Sequence, residues 1–232
     1  MKPNLLMLHG ALGAKTTFGA SSGELNNYFQ VYVMNFNGHG LTPKRDGHFN
    51  IHGFAEDVIA YLDESDLEKI DIFGYSMGGY VGLYLARHFP ERINKVATLG
   101  TKLAWTADIA SKEVRKLDPV KIKEKVPKFA AGLAKVHGDD HWETLLHDTG
   151  DLLKQLGESP LITDADFQAI EHHVRLCVGD NDHFVTIDET QDAFRQLENG
   201  SLSVIPNTGH LFNTVHVRDL VLELRRTFRR NI

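Results

Sequence analysis

Apolar residues in this chain follow two rhythms. Short, nearly unbroken runs occur at 4–8 (NLLML), 31–36 (VYVMNF), 69–74 (KIDIFG), 95–100 (KVATLG), 174–179 (VRLCVG) and 201–206 (SLSVIP). Runs this short, apolar at consecutive positions and rich in β-branched residues, predict strands buried on both faces of a parallel sheet. Between them the apolar spacing widens to three or four residues, which predicts helices over 24–30, 52–65, 76–88, 187–197 and 213–230. In the last of these Val217, Leu220, Val221, Leu224 and Phe228 form one stripe. Strand and helix alternate, and this predicts an α/β fold: a mostly parallel central sheet of about six strands, flanked by helices through right-handed crossovers.

One interval breaks the alternation. Residues 103–170 hold no strand candidate but much helical pattern, cut into short pieces by Pro119, Pro127 and Pro160. An insertion at this point leaves from the carboxyl edge of the strands, where open α/β sheets bind ligands. The expected organisation is therefore a core made of 1–102 and 171–232, with a helical lid over 103–170. The plainer alternative is a set of helices that thickens one face of the sheet.

Composition narrows the function classes. Apolar residues make up 42% and charged residues 24%, ordinary globular usage, and the formal charge is −6. An acidic balance lacks the basic footprint of a nucleic-acid binder and gives no reason to expect an anionic membrane surface as partner. Arg225, Arg226, Arg229 and Arg230 cluster at the end of the final helix, where positive charge complements the helix dipole. The single cysteine, Cys177, allows neither an intrachain disulfide nor a thiolate metal site, and is expected to pack as a small hydrophobe. The four apolar residues before His9 are too few for a signal peptide. No run reaches the roughly 18 residues of a membrane span. A soluble, cytoplasmic chain is the expectation.

The chemistry starts at GYSMG, residues 74–78, between a predicted strand and a predicted helix. A strand-to-helix turn this tight holds Ser76 in a strained backbone with its hydroxyl exposed, and side chains two residues to either side would collide, hence glycine there. A serine hydroxyl needs a base to take its proton. Of thirteen histidines, His210 stands just past the last strand, at the edge that carries Ser76. His216 falls within the final helix, His172 and His173 precede a strand at the opposite edge, and His9 and His39 sit in HG pairs suited to structural hydrogen bonds. The base needs an acid to set its tautomer. Asp180 and Asp182, in VGDNDHFV after the fifth strand, both qualify by chemistry. An oxyanion needs backbone N–H donors, each worth roughly 10²–10³-fold in rate. Met77 offers one. The glycine-rich HGALGA loop at 9–14 offers the other, from Ala11 first and Leu12 second.

Taken together, LHGALG (8–13), NFNGHGLTP (35–43), FGYSMGGYVGLYLA (73–86), VGDNDHFV (178–185) and NTGHLF (207–212) resemble the α/β-hydrolase superfamily in order and spacing. The resemblance implies a catalytic triad of Ser76, Asp182 and His210, with Asp182 chosen because relatives place the acid three residues after the glycine of G-x-x-D. It implies an oxyanion hole from Ala11 and Met77, and no metal, nucleotide or flavin. GHG at 38–40 resembles a structural turn of the family. The family's usual N-terminal antiparallel hairpin is expected to be absent. The wording around Ser76 is similar to small bacterial hydrolases related to the menaquinone-pathway synthase. Those carry an arginine directly after S-M-G-G for an anionic substrate; Tyr80 stands there in this chain, which argues against that activity.

The implied function is hydrolysis of a small carboxylic ester, thioester or activated amide through an acyl-enzyme. The same triad also serves C–C hydrolysis, lyase chemistry or acyl transfer, and a ligand-binding receptor with a vestigial triad is a reading from a different class. Leu12, Tyr80, Lys102, Trp105, Trp142 and Phe184 are the expected substrate contacts.

Overall fold

Leu5 and Met7 lie on one face of the first strand and Leu6 and Leu8 on the other, and all four are fully buried. A strand with two buried faces needs cover on both, and the chain supplies it. The computed structural model describes residues 2–228, in the order β1 (Asn4–Leu8), α1 (Gly19–Leu25), β2 (Gln30–Val33), α2 (Ile51–Glu64), β3 (Ile70–Tyr75), α3 (Met77–His88), β4 (Ile93–Leu99), α4 (Ala107–Val114), α5 (Pro119–Lys125), α6 (Pro127–His137), α7 (Trp142–Glu158), α8 (Asp164–Gln168), β5 (His173–Gly179), α9 (Ile187–Gln196), β6 (Gly200–Ile205) and α10 (Val217–Phe228). Arg229, Arg230 and the expected end of the last helix lie outside the described residues.

The strands form one sheet in the order β2-β1-β3-β4-β5-β6, and every neighbouring pair is parallel. One face carries Leu6, Leu8, Ile72, Val96 and Leu176 under Phe54, Val58 and Leu62 of α2 and Val81 and Leu85 of α3. The other carries Leu5, Met7, Phe73, Leu99 and Cys177 under Leu25 of α1 and Leu220, Leu224 and Phe228 of α10. Each such side chain, fully buried, contributes about 1.5–3 kcal/mol. Burial also pushes the Cys177 thiol up to about 12, so it packs as an inert apolar group.

Local chemistry sets the helix boundaries. Asn50 caps α2 by accepting from the Gly53 N–H at 2.9 Å. Asp118 caps α5 with Pro119 at the first helical position. Thr186 and Glu189 form a capping box on α9.

Three expected boundaries are corrected. The helix expected at 24–30 runs instead over Gly19–Leu25, because a short 3₁₀ turn (Lys15–Phe18) leads into it and buries Phe18 and Leu25 on one side. The strand expected at 31–36 ends at Val33, since Phe36 leaves the edge of the sheet and gives its N–H to His9. The last helix begins at Val217, not 213, after a 3₁₀ turn at Phe212–Thr214.

Because all strands run the same way, the loops after β1, β3, β4, β5 and β6 gather at one edge. The chain order reverses direction across the sheet at β1, between β2 and β3. The turn at Ser76 and the 9–14 loop flank this switch point, the usual ligand crevice of such sheets. The five helices α4 to α8 lie between β4 and β5 in sequence. They are tied to the sheet-bearing part at several points. The Tyr80 hydroxyl accepts the N–H groups of both Leu161 and Ile162 at 3.1 Å, Arg87 pairs with Asp166 at 3.1 Å, and Lys44 pairs with Asp148 at 2.6 Å.

Candidate active site

Ser76 stands between the end of β3 at Tyr75 and the first turn of α3 at Met77, with φ 51° and ψ −117°. A serine pays for that left-handed backbone in strain, and such strain persists only where packing imposes it. Here the packing is visible. The Ser76 N–H donates to the Leu99 carbonyl at 2.9 Å, and its own carbonyl accepts from the Thr101 hydroxyl at 3.0 Å. A Cβ at Gly74 would overlap the Gly78 carbonyl, and one at Gly78 would overlap the carbonyl of Leu8. Both glycines are therefore demanded by backbone passing directly against backbone.

The turn lifts the Ser76 hydroxyl toward His210. Ser76 Oγ lies 3.3 Å from His210 Nε2, and His210 Nδ1 lies 2.8 Å from Asp182 Oδ2. The other Asp182 oxygen accepts the Phe184 and Val185 N–H groups, both at 2.8 Å. Burial opposes ionisation of Asp182, but the hydrogen bonds from His210 and the two backbone N–H groups outweigh it and hold the carboxyl below its ordinary value. Asp180, the other candidate acid, instead accepts the Thr208 N–H at 3.0 Å and holds the neighbouring loop. Two residues that sequence reasoning missed brace the group. Tyr75 donates its hydroxyl to the His210 carbonyl at 2.8 Å, and Thr101 holds the Ser76 carbonyl. Neither position carries a distinguishing sequence signal.

The N–H groups of Ala11 and Met77 donate to no other protein group among the described residues. Ala11 and Leu12 are the central residues of a turn closed by the Gly13 N–H on the Gly10 carbonyl at 3.1 Å. Ala11, Leu12, Met77, Ser76 and His210 all line a cavity of about 720 Å³. Its far wall comes from the helical segment, through residues such as Leu117, Ile122, Phe129, Leu152 and Leu156.

Of the expected substrate contacts, Leu12, Tyr80, Lys102, Trp105 and Phe184 reach the cavity. Trp142 does not. It is buried in a separate cluster with Ile122, Ala130, Leu133 and Leu146, because α5, α6 and α7 need a core of their own. Lys102 is spoken for: it pairs with Glu189 at 2.8 Å, both side chains 9% exposed, and donates to the Phe184 carbonyl. This brings Phe184 edge-on to His210, ring centroids 4.7 Å apart.

His9 and His39 serve structure. The Phe36 N–H donates to His9 Nε2 at 3.2 Å, so the His9 proton sits on Nδ1 and goes to the Gly10 carbonyl at 2.8 Å. Burial pushes the His9 imidazole down to about 4, against that hydrogen bond, and it drives His39 well below its ordinary value as well. The unfolded chain protonates His9 below about pH 6.5, while the folded chain refuses that proton until about pH 4. Stability is therefore full above that upper value and falls as pH drops through the window, by about 2 kcal/mol at pH 5 from His9 alone. Thermal melts should show Tm level from pH 7.5 to about 6.5 and then falling steadily to pH 4.5. A Tm unchanged from pH 7.5 to 5 would contradict the neutral, buried state of His9.

A family model described as alpha/beta hydrolase fold matches residues 3–148, more than half of the chain. The chain belongs to the α/β-hydrolase family and is an enzyme of that superfamily. It is 28% identical over 202 residues to a 3-oxoadipate enol-lactonase 2 of Acinetobacter baylyi, covering 80% of this chain and 75% of that protein. Among solved structures, its fold is similar to the 2-hydroxy-6-oxo-6-phenylhexa-2,4-dienoate hydrolase of Rhodococcus sp. strain RHA1 (TM-score 0.83, 20% identity, 99% of this chain and 91% of that one). It is also similar to a thermophilic esterase of Thermogutta terrifontis (TM-score 0.78, 21% identity, 97% and 89%). No helix among the described residues is long and apolar enough to cross a membrane.

Proposed function

We propose that the protein is a serine hydrolase that cleaves neutral carboxylic esters with an apolar acyl group, through an acyl-enzyme on Ser76. The observation that carries this reading is the unbroken hydrogen-bond chain from Ser76 Oγ through His210 to Asp182, at the wall of an apolar cavity. In this mechanism Ser76 Oγ attacks the carbonyl carbon while His210 Nε2 takes its proton. Asp182 stabilises the resulting imidazolium. The carbonyl π electrons move to oxygen, where the Ala11 and Met77 N–H groups receive the negative charge. As the tetrahedral intermediate collapses, the bond to the leaving alcohol breaks and His210 returns the proton to it. Water then repeats the sequence and frees Ser76.

The neutral preference follows from the charges along the cavity. Its two lysines are each neutralised: Lys102 by Glu189 and Lys116 by Glu113, both at 2.8 Å. Tyr80 stands where an anion-binding arginine is expected in the relatives of similar wording, and its hydroxyl is occupied by the Leu161 and Ile162 N–H groups. The names of the Acinetobacter and Rhodococcus relatives refer to an oxoadipate lactone and a dienoate. This cavity offers no unpaired cation to such a carboxylate among the described lining residues. The helices of 103–170 act as the lid that excludes water and sets acyl length.

A fluorophosphonate should add to Ser76, located by mass spectrometry of the digested protein. In a substrate series, kcat/KM for p-nitrophenyl hexanoate should exceed that for the p-nitrophenyl monoester of adipic acid by roughly tenfold or more, since one unpaired buried charge costs over 1.4 kcal/mol. Equal or reversed rates would remove the neutral-ester reading, and labelling elsewhere would remove Ser76 as nucleophile.

A further inference from the structure

The helical segment touches the 9–14 loop through a side chain that does not line the cavity. His137, the last residue of α6, is 2% exposed. The Gly40 N–H donates to His137 Nδ1 at 2.9 Å. That nitrogen therefore presents its lone pair, and the imidazole proton resides on Nε2. His137 Nε2 in turn donates to the Leu12 carbonyl at 3.0 Å. The ring's two nitrogens are thus both satisfied, in one tautomer only.

Leu12 is the residue that needs holding. It sits at φ 57°, a left-handed backbone that a leucine adopts only when its surroundings impose it. It is also the third residue of the turn whose second residue is Ala11. Rotation at Leu12 would let the turn relax and swing the peptide groups on either side of Ala11. The Ala11 N–H is aimed only as well as that turn is fixed.

We infer that His137 is a positioning residue for the oxyanion hole: its Nε2–H clamps the Leu12 carbonyl, holds the turn in its strained form and keeps the Ala11 N–H directed at the developing oxyanion. The inference rests on the reading of Ser76 as nucleophile. It couples the helical segment to the transition state rather than to substrate binding. A helical segment that lifted away from the 9–14 loop would withdraw the clamp and switch off the chemistry while the Ser76–His210–Asp182 chain stayed intact.

Two near-isosteric substitutions separate the ring's two jobs. His137→Gln places an amide N–H₂ near the Nε2 position and keeps a donor for Leu12, while the Gly40 N–H loses its acceptor. His137→Asn places a carbonyl near the Nδ1 position and keeps the Gly40 acceptor, while the Leu12 carbonyl loses its donor. Both should lower Tm. For p-nitrophenyl hexanoate, His137→Asn should lower kcat roughly 10- to 100-fold with KM within about twofold, and weaken inhibition by a trifluoromethyl ketone, which forms the oxyanion, by a similar factor. His137→Gln should retain kcat within about threefold.

Equal kcat losses in the two variants, or a loss confined to KM, would overturn the positioning role and leave His137 a packing residue. Failure of the underlying reading looks different: the wild-type protein would then give no fluorophosphonate adduct on Ser76, and both proposals would fall together.

Discussion

Replacing Ser76 by alanine should lower ester turnover by roughly 10⁴-fold or more while the protein keeps its fold. The hydroxyl is the only atom lost, and it lies at the cavity wall with one side-chain partner, His210 Nε2 at 3.3 Å. Replacing Ser76 by glycine should abolish turnover to the same degree and also raise stability by about 1 kcal/mol, because φ 51° costs glycine nothing. In a domain of this size that corresponds to a Tm about 2–4 °C higher. Initial rates with p-nitrophenyl hexanoate and thermal melts of the three proteins test both halves. An alanine variant with wild-type turnover would end the case for Ser76, and a glycine variant less stable than wild type would end the account of strain.

The second large effect belongs to the glycines around it. Gly78→Ala should cost about 4 kcal/mol or more, enough to deplete soluble folded protein, because its methyl group would overlap the Leu8 carbonyl. Gly74→Ala should behave alike, since its methyl would meet the backbone of Gly78 and Gly79. In both cases the obstacle is main chain within the sheet and the first turn of α3, which cannot rotate aside as a flexible side chain can. Gly132→Ala offers the contrast. It lies inside α6 with nothing within 4 Å of an added Cβ, and should raise stability by up to about 1 kcal/mol through helix propensity. Urea unfolding of the soluble variants, with soluble yield for the others, measures the difference. Near wild-type stability for Gly78→Ala would mean that α3 does not pass so close to β1.

The close backbone passage behind these two expectations explains why the tight turn at Ser76 is legible in the sequence. A backbone that passes this close to backbone restricts residue type at fixed offsets, so the constraint is written into five adjacent letters. The acid loop and His210 are legible for a related reason, although strand position admits Asp180 and Asp182 alike and only the family resemblance selects Asp182. Each follows a short apolar strand directly, and parallel strands must all end at the same edge. Strand end and site are then the same place, and the structure brings the three side chains within hydrogen-bond distance.

Trp142 shows where that logic stops. Its helix was evident, but the side of α7 facing the cavity depends on how α5, α6 and α7 pack on one another, which no local pattern states. Lys102 shows the same limit for charge. Its position after β4 put it at the active edge, yet whether it meets a ligand or a carboxylate was decided by Glu189, more than eighty residues away. His137 carried no sequence signal at all, because its partners, Gly40 and Leu12, are 97 and 125 residues distant and are backbone groups that any residue could supply.

The sequence by itself determined the alternating strands and helices, the parallel sheet they imply, the candidate nucleophile and base, and an acid narrowed to Asp180 or Asp182. All of these follow from constraints between neighbours along the chain: periodic burial, the tight strand-to-helix turn and the common direction of parallel strands. Tertiary structure alone decided the cavity's shape, the pairing of Lys102 with Glu189, and the clamp on the 9–14 loop. Those features depend on contacts between segments far apart in sequence, and their partners leave no mark in the local pattern of residues.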